Sequence, residues 1–354
     1  ITAAGTPSGN NDNDSVVYMA ITENTTAYNT EVIGDFDSHA LPELYSFVSK
    51  FGSSGTGNGQ LNNPRNIVVD SQGNYYVTEY ANHRVHKFNS AGVYVDKWGG
   101  TTIGTGDKQF NSPDGIAIDS EDCIYVADRL NHRIQKFDSQ GNFVTKWGRN
   151  NGDGSSGSGD GEFNNPIGIF VDKNDVVYVA DYSNNRIQKF NKDGSFNSVI
   201  LTGLSGPHGV AVDNGLNIFV AEWNGLQIKK FDKNGAALTS WGLSGTGDGE
   251  FNGLGGVNID AFGNVYTAES TNKRVQKFTN NGDFITKFGG TDGTADGQFK
   301  SVNGVFIDKC QNVCVTDGAT NNRVQIFRNG MLKDSAGNNL PVIMAKTLID
   351  KAVP

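Results

Sequence analysis

Short runs in which branched apolar residues alternate with small or polar ones recur along this chain, and each ends on an aspartate. They are Asn66-Ile-Val-Val-Asp70, Gly115-Ile-Ala-Ile-Asp119, Gly168-Ile-Phe-Val-Asp172, Gly209-Val-Ala-Val-Asp213, Gly256-Val-Asn-Ile-Asp260 and Gly304-Val-Phe-Ile-Asp308. The aspartates are spaced by 49, 53, 41, 47 and 48 residues. Period-two alternation in β-branched residues predicts a strand. A unit of roughly 40–50 residues made of several such strands predicts a β-propeller blade. Within the second copy, Ile124-Tyr-Val-Ala-Asp128, Ile134-Gln-Lys-Phe137 and Asn142-Phe-Val-Thr-Lys-Trp-Gly148 supply three further strands. The turn Asp138-Ser-Gln-Gly141 uses glycine for positive φ. These strands are apolar on both faces, as expected of a blade held between two others.

Six such sets need six outer strands, and only five lie between copies. The sixth is predicted at Tyr45-Ser-Phe-Val-Ser-Lys-Phe-Gly52, which matches Phe143–Gly148 and would complete the last blade beside Arg323–Phe327. Such closure removes an open sheet edge. The expected fold class is therefore all-β, a six-bladed propeller of four-stranded blades closed by an N-terminal strand. The expected divisions are an acidic N-terminal extension (1–43), the propeller (44–330) and a C-terminal extension (331–354).

The order Pro-x-Gly-Ile-Ala-x-Asp, then Tyr-Val-Ala-Asp, then Asn-His-Arg-Ile-Gln-Lys-Phe resembles the NHL repeat, over roughly residues 45–330. Asn82-His83-Arg84 and Asn131-His132-Arg133 carry the signature, and Asn184-Asn185-Arg186, Asn272-Lys273-Arg274 and Asn321-Asn322-Arg323 are close variants. The fourth copy departs from it with Gly225-Leu226-Gln227. The resemblance implies six blades, in agreement with the count. An acid precedes each arginine by five residues, six in the last copy (Glu79, Asp128, Asp181, Glu269, Asp317), which predicts a structural ion pair in each blade. The glycine-rich segments, such as Gly152–Glu162, contain no Gly-Lys-Ser/Thr and read as connectors between blades.

Charge divides the chain unevenly. Residues 1–43 hold seven acids and no lysine or arginine, whereas the rest has 31 acids against 29 bases. A nearly neutral body argues against nucleic-acid binding, which needs a basic face. No run approaches the roughly 20 apolar residues of a membrane span, so no membrane insertion is expected. Three cysteines make no disulfide framework; a Cys310–Cys314 bridge and free thiols are both open, free thiols being favoured. Two Asn-x-Ser/Thr sequons occur, at Asn13 and Asn24, both in the leader. Their confinement there, and a chain starting at Ile1, lead to the expectation of a trimmed, secreted glycoprotein.

Specific function in a repeat protein is sought where the copies disagree. The position before each repeated Gly or Asn reads Arg65, Asp114, Ile167, His208, Gly255, Asn303. The position after the second-strand acid reads Tyr80, Arg129, Tyr182, Trp223, Ser270, Gly318. Both loops fall on one face and would ring the channel mouth, so Arg65, Tyr80, Asp114, Arg129, Tyr182, His208, Trp223 and Asn303 are the candidate ligand residues. Pro207-His208-Gly209 resembles a segment of the peptidyl-hydroxyglycine amidating lyases, propellers that use three histidines around zinc. Only His208 matches, and no three-histidine centre can be assembled. A carboxylate-lined calcium site of the lactonase kind would draw on Asp114 and Asn303, short of about six oxygens. No catalytic residue, metal or cofactor is expected. The expected role is a non-enzymatic extracellular structural or adhesive propeller that joins other copies of itself, as an oligomer or filament, through its extensions, with glycans as possible partners. The alternative is small-molecule or glycan binding, or metal-dependent lyase or hydrolase activity, at the channel mouth.

Overall fold

In a computed structural model, the structure describes residues 45–100 and 102–330, and beyond them only the backbone of two short strands, Leu332–Lys333 and Asn339–Leu340. Those two strands pair antiparallel, Leu332 opposite Leu340. The sequons at Asn13 and Asn24, with the rest of residues 1–43, lie outside the described residues.

Residues 45–329 form six four-stranded antiparallel sheets. From the inner strand a to the outer strand d, blade 1 is Pro64–Val69, Tyr75–Glu79, Arg84–Phe88 and Tyr94–Gly99; blade 2 is Ile116–Ile118, Ile124–Asp128, Arg133–Phe137 and Phe143–Gly148; blade 3 is Pro166–Val171, Val177–Asp181, Arg186–Phe190 and Phe196–Leu201. Blade 4 is Pro207–Val212, Ile218–Glu222, Gln227–Phe231 and Ala237–Trp241; blade 5 is Leu254–Ile259, Val265–Glu269, Arg274–Phe278 and Phe284–Gly289. Blade 6 takes strands a to c from Val302–Ile307, Asn312–Asp317 and Arg323–Asn329 and its strand d from Tyr45–Phe51, so the N-terminal strand closes the ring as expected.

The core is divided into six, one cluster in each gap between neighbouring blades. The gap between blades 2 and 3 is filled by Tyr125, Ile134, Trp147, Phe163, Val179 and Phe190 among others. The gap between blades 6 and 1 is filled by Cys314, Val324, Ile326, Phe51, Leu61 and Phe88, so the closing strand contributes to both its sheet and the seam. One large residue at the end of each connector (Leu61, Phe110, Phe163, Leu204, Phe251, Phe299) is buried in these gaps. Each such side chain contributes roughly 1.5–3 kcal/mol by leaving water.

The repeated aspartates at the end of strand a shape the a–b turns. Asp119 accepts the backbone N–H groups of Glu121 and Cys123 and the hydroxyl of Tyr125. Asp70, Asp172 and Asp260 make the same set in their blades. The expected acid–arginine pairs form within blades: Glu79–Arg84 at 2.6 Å, Asp128–Arg133, Asp181–Arg186 and Glu269–Arg274 at 2.8 Å, and Asp317–Arg323 at 3.0 Å. The same guanidiniums donate to the carbonyls of the preceding glycine-rich connector. Arg274, for example, reaches Thr246, Gly247 and Glu250 at 2.7–2.8 Å. The connectors are therefore wrapped around buried arginines, whose charge they help to solvate.

Blade 4 explains its own departure from the triplet. Between strand d of blade 3, ending at Leu201, and strand a of blade 4, starting at Pro207, there is no room for a glycine-rich loop. With no loop carbonyls to satisfy, no arginine is present. Gln227 and Lys229 instead meet Glu222, at 2.8 and 3.0 Å.

The middle residue of the triplet sits at positive φ: His83, His132, Asn185 and Asn322 at 47–55°. Each reaches the next blade. His83 Nδ1 accepts the Ser112 N–H and His132 Nδ1 accepts the Asn165 N–H, both at 3.0 Å. Asn185 and Asn322 accept the Gly206 and Asn63 N–H groups through their side-chain oxygens. The three cysteines are free thiols.

Candidate functional site

The inner strands do not run straight into the mouth. In five blades the a–b register slips at that end, between Pro64 and Ile67, Pro166 and Ile169, Pro207 and Gly209, Leu254 and Val257, and Val302 and Gly304. Bulges of this kind re-aim side chains at rims. The residues they carry include Arg65, Ile167, His208, Gly255 and Asn303, the positions at which the copies disagree. In blade 2 the equivalent stretch holds Asp114, buried, whose N–H donates to Ala127 at 3.0 Å.

Two groupings result. Across blades 1 and 2, the half-buried Tyr80 ring lies between two guanidiniums, with Arg65 at 4.6 Å and Arg129 at 5.8 Å from its centroid. Arg129 is tied to Asp114 by a 3.0 Å ion pair. A guanidinium over an aromatic face is attracted by the ring quadrupole. In blades 3 and 4, His208 stacks on Trp223 at 5.2 Å and meets the edge of Tyr182 at 6.4 Å. Burial pushes the His208 imidazole down to about 4; Asp114 opposes this, Arg129 and Arg65 reinforce it, and a backbone bond at Gly255 opposes it. The charges of the first grouping thus reach the second. His208 is neutral at neutral pH.

Asn303 is engaged structurally. Its Nδ2 donates to the Pro64 carbonyl at 2.8 Å and its Oδ1 accepts the Ser301 hydroxyl at 2.9 Å, so it joins blade 6 to blade 1. Of the eight candidates, then, seven form the two groupings and Asn303 serves mainly the seam.

Below the rim, the six inner strands enclose a channel cavity of about 270 Å³ with Asp114, His208 and Asn303 among its lining residues. Its walls mix apolar side chains, Val68, Ala117, Phe170, Val210 and Phe306 among them, with about as much polar surface. Asn66 and Asn258 also line it and escaped the comparison of copies at the rim. The signal was present in the strand a alignment, where Asn258 replaces Val68, Ala117, Phe170, Ala211 and Phe306.

The other histidines in the described residues do not approach this site: His83 and His132 join blades, and His86 is buried in strand c beside Glu79, at 2.8 Å. Among the described residues no three His, Cys, Asp or Glu side chains are grouped to hold a metal; His39 lies outside them.

Comparison with known proteins adds the family. The NHL repeat model matches residues 61–88, 110–137, 163–190 and 204–231, each from the buried connector residue to the last phenylalanine of strand c. The chain carries NHL repeats. The fourth match includes the blade without the arginine, and blades 5 and 6 repeat the same architecture. Protein lin-41 of Caenorhabditis elegans is 60% identical over 45 residues, 13% of this chain and 4% of that protein. The E3 ubiquitin-protein ligase TRIM71 of Rattus norvegicus is 52% identical over 44 residues, 12% of this chain and 5% of that protein. The matches thus span about a twentieth of those relatives. Among solved structures, a gluconolactonase from Xanthomonas campestris superposes with TM-score 0.58 at 16% identity, covering 81% of this chain and 89% of that one. Virginiamycin B lyase from Staphylococcus aureus gives 0.55 at 14% identity, covering 80% and 99%. A chain of the nidogen/laminin complex gives 0.50 at 15%, covering 64% and 79%. At these identities the likeness is one of fold.

Proposed function

We propose that this NHL propeller is a non-catalytic binding module that holds a ligand over the mouth of its channel. The observation that carries the reading is the convergence of the blade-specific residues. Side chains that repeat from blade to blade are consumed in ion pairs, turns and connectors, whereas Arg65, Tyr80, Asp114 and Arg129 form one grouping and Tyr182, His208 and Trp223 another, with Asp114 and His208 lining the channel cavity. Aromatic faces and a few placed polar groups beside a cavity of mixed lining are the composition of a small-ligand site. Propellers of this shape include a gluconolactonase and a lyase as well as a chain of the nidogen/laminin complex, so the fold permits either use. Binding is favoured because the rim carboxylate Asp114 is held by Arg129 and His208 stands without a second titrating partner of its own kind. The test is ligand-observed NMR with a fragment library against the full chain and the Tyr80→Ala/Trp223→Ala variant. Hits lost in the variant support the reading; hits kept by it, or lactone or lyase turnover removed by His208→Ala, overturn it.

A second reading concerns assembly. Because Tyr45–Phe51 closes the ring from within its own chain, residues before it are not needed for closure. An extracellular protein whose acidic segment 1–43 joins other copies remains a proposal, resting on residues outside those described. Light scattering of the full chain and of a chain lacking residues 1–43 tests it, with equal particle mass for the two as the refuting result.

A further inference from the structure

Of the nine arginines, Arg65 alone has neither a side-chain hydrogen bond nor an ion pair among the described residues. Five serve the repeated pairs, Arg129 holds Asp114, Arg149 bonds the Ser156 carbonyl and Arg328 bonds Asn312. The Nε of Arg65 is buried with nothing to donate to, and its guanidinium is shielded on one side by the Tyr80 ring. Leaving a charged donor partly dry and unbonded is costly, so a position of this kind is suited to an incoming acceptor.

The rim's charge sets how much that acceptor carries. Arg129 and Asp114 cancel, and His208 is uncharged at neutral pH, which leaves the single positive charge of Arg65. A polyanion would meet one free cation and the Asp114 carboxylate beside it; a monoanion would be matched. A planar carboxylate fits the guanidinium fork with two parallel bonds. The residue after Arg65, Asn66, lines the 270 Å³ cavity, whose walls join apolar side chains such as Val68, Phe170 and Phe306 to about as much polar surface, which suits a body that is apolar in part.

We infer that the mouth recognises a small monocarboxylate with a body that is apolar in part, its carboxylate on Arg65 and its body directed into the channel. This rests on the binding reading above and names the ligand class for the same site. The carboxylate can belong to a free small acid or to the end of a peptide.

The full chain, labelled with ¹⁵N, is titrated separately with benzoate, benzamide, phenyl phosphate and a hexapeptide ending in a free Phe carboxylate, and with that peptide's C-terminal amide. Arginine Nε–H resonances are followed, and Arg65 is assigned with Arg65→Gln. Saturable shifts of Arg65 with benzoate and none with benzamide are expected, as is a loss of about tenfold or more in affinity in Arg65→Gln. Arg65→Lys, which keeps the charge and loses the fork, should fall between, and Arg149→Gln should match the parent. Binding of the acid peptide but not its amide supports the same chemistry and assigns a peptide source. Equal affinity for benzamide, equal affinity in a folded Arg65→Gln, or tighter binding of phenyl phosphate overturns the carboxylate assignment and leaves the mouth as a binding site. If no probe and no fragment perturbs any mouth resonance, both readings fall.

Discussion

Replacing Arg133 by methionine tests what the repeated ion pair does. Arg133 and Asp128 are both fully buried and 2.8 Å apart. The guanidinium also donates to the carbonyls of Thr105, Gly106, Gln109 and Gly152. After truncation, Asp128 keeps the Asn111 N–H at 2.7 Å, Asn131 Nδ2 at 2.9 Å and Gln135 Nε2 at 3.1 Å, but no cation, and the connector carbonyls lose their donor. Breaking a buried pair from one side costs about 3–5 kcal/mol. Urea denaturation at about pH 7 should show an unfolding free energy lowered by that amount, read as a lower midpoint at an unchanged m-value if the ring still unfolds as a unit. The sign of the pH dependence follows from Asp128, whose carboxyl burial already holds above the ordinary range, with Arg133 the leading opposing influence. Without Arg133 it rises further. A raised folded pKa means stability gained on protonation and lost as pH rises, so the deficit of Arg133→Met should be greatest near neutrality and shrink toward about pH 4. Asp128→Asn/Arg133→Met should be less unstable than the sum of its parts by about 1–3 kcal/mol. A variant within about 1 kcal/mol of the parent at neutral pH, or a deficit that ignores pH, would refute the reasoning.

Three further outcomes are expected. Burial lowers the pKa of both His83 and His132, chiefly by desolvation, and both accept an N–H from the next blade, so stability should fall as pH drops below about 6.5; His83→Asn/His132→Asn, copying Asn185 and Asn322, should flatten that dependence in melts from about pH 7 to about pH 5, and an unchanged slope counts against it. Gly141 combines φ 82° with a position at which an added Cβ would collide with the Trp98 indole, so Gly141→Ala should cost about 1–3 kcal/mol and alter Trp98 fluorescence. Phe51 packs on Tyr75 and Phe88 at ring distances of 4.9 and 4.7 Å across the closing seam, so Phe51→Ala should cost about 3–5 kcal/mol in chemical denaturation, and a loss under about 1 kcal/mol would argue that the seam is not held there.

The ring was legible because its determinants are local and repeated. Six alternating runs ending in aspartate announce six inner strands, and the likeness of Phe47–Gly52 to Phe143–Gly148 places the closing strand. Fixed spacing also revealed the acid–arginine pairs. What each arginine does beyond its acid was not legible, because the connector carbonyls it binds lie 24–29 residues earlier and carry no side-chain signal. The role of His83 and His132 was hidden in the same way, since their partners are backbone groups of the following blade. At the mouth, comparing copies found the residues but not their pairing. Nothing in the chain says that Asp114 goes to Arg129 and leaves Arg65 alone; that choice is made by two bulged rims meeting in space.

The fourth blade shows that loop and arginine are a removable cassette. A blade lacking both still closes its sheet and its seams, which makes the other five connectors natural grafting sites. Exchanging one for a foreign peptide, together with its arginine but keeping the buried residue at its end, would decorate the face of the wheel that carries the mouth.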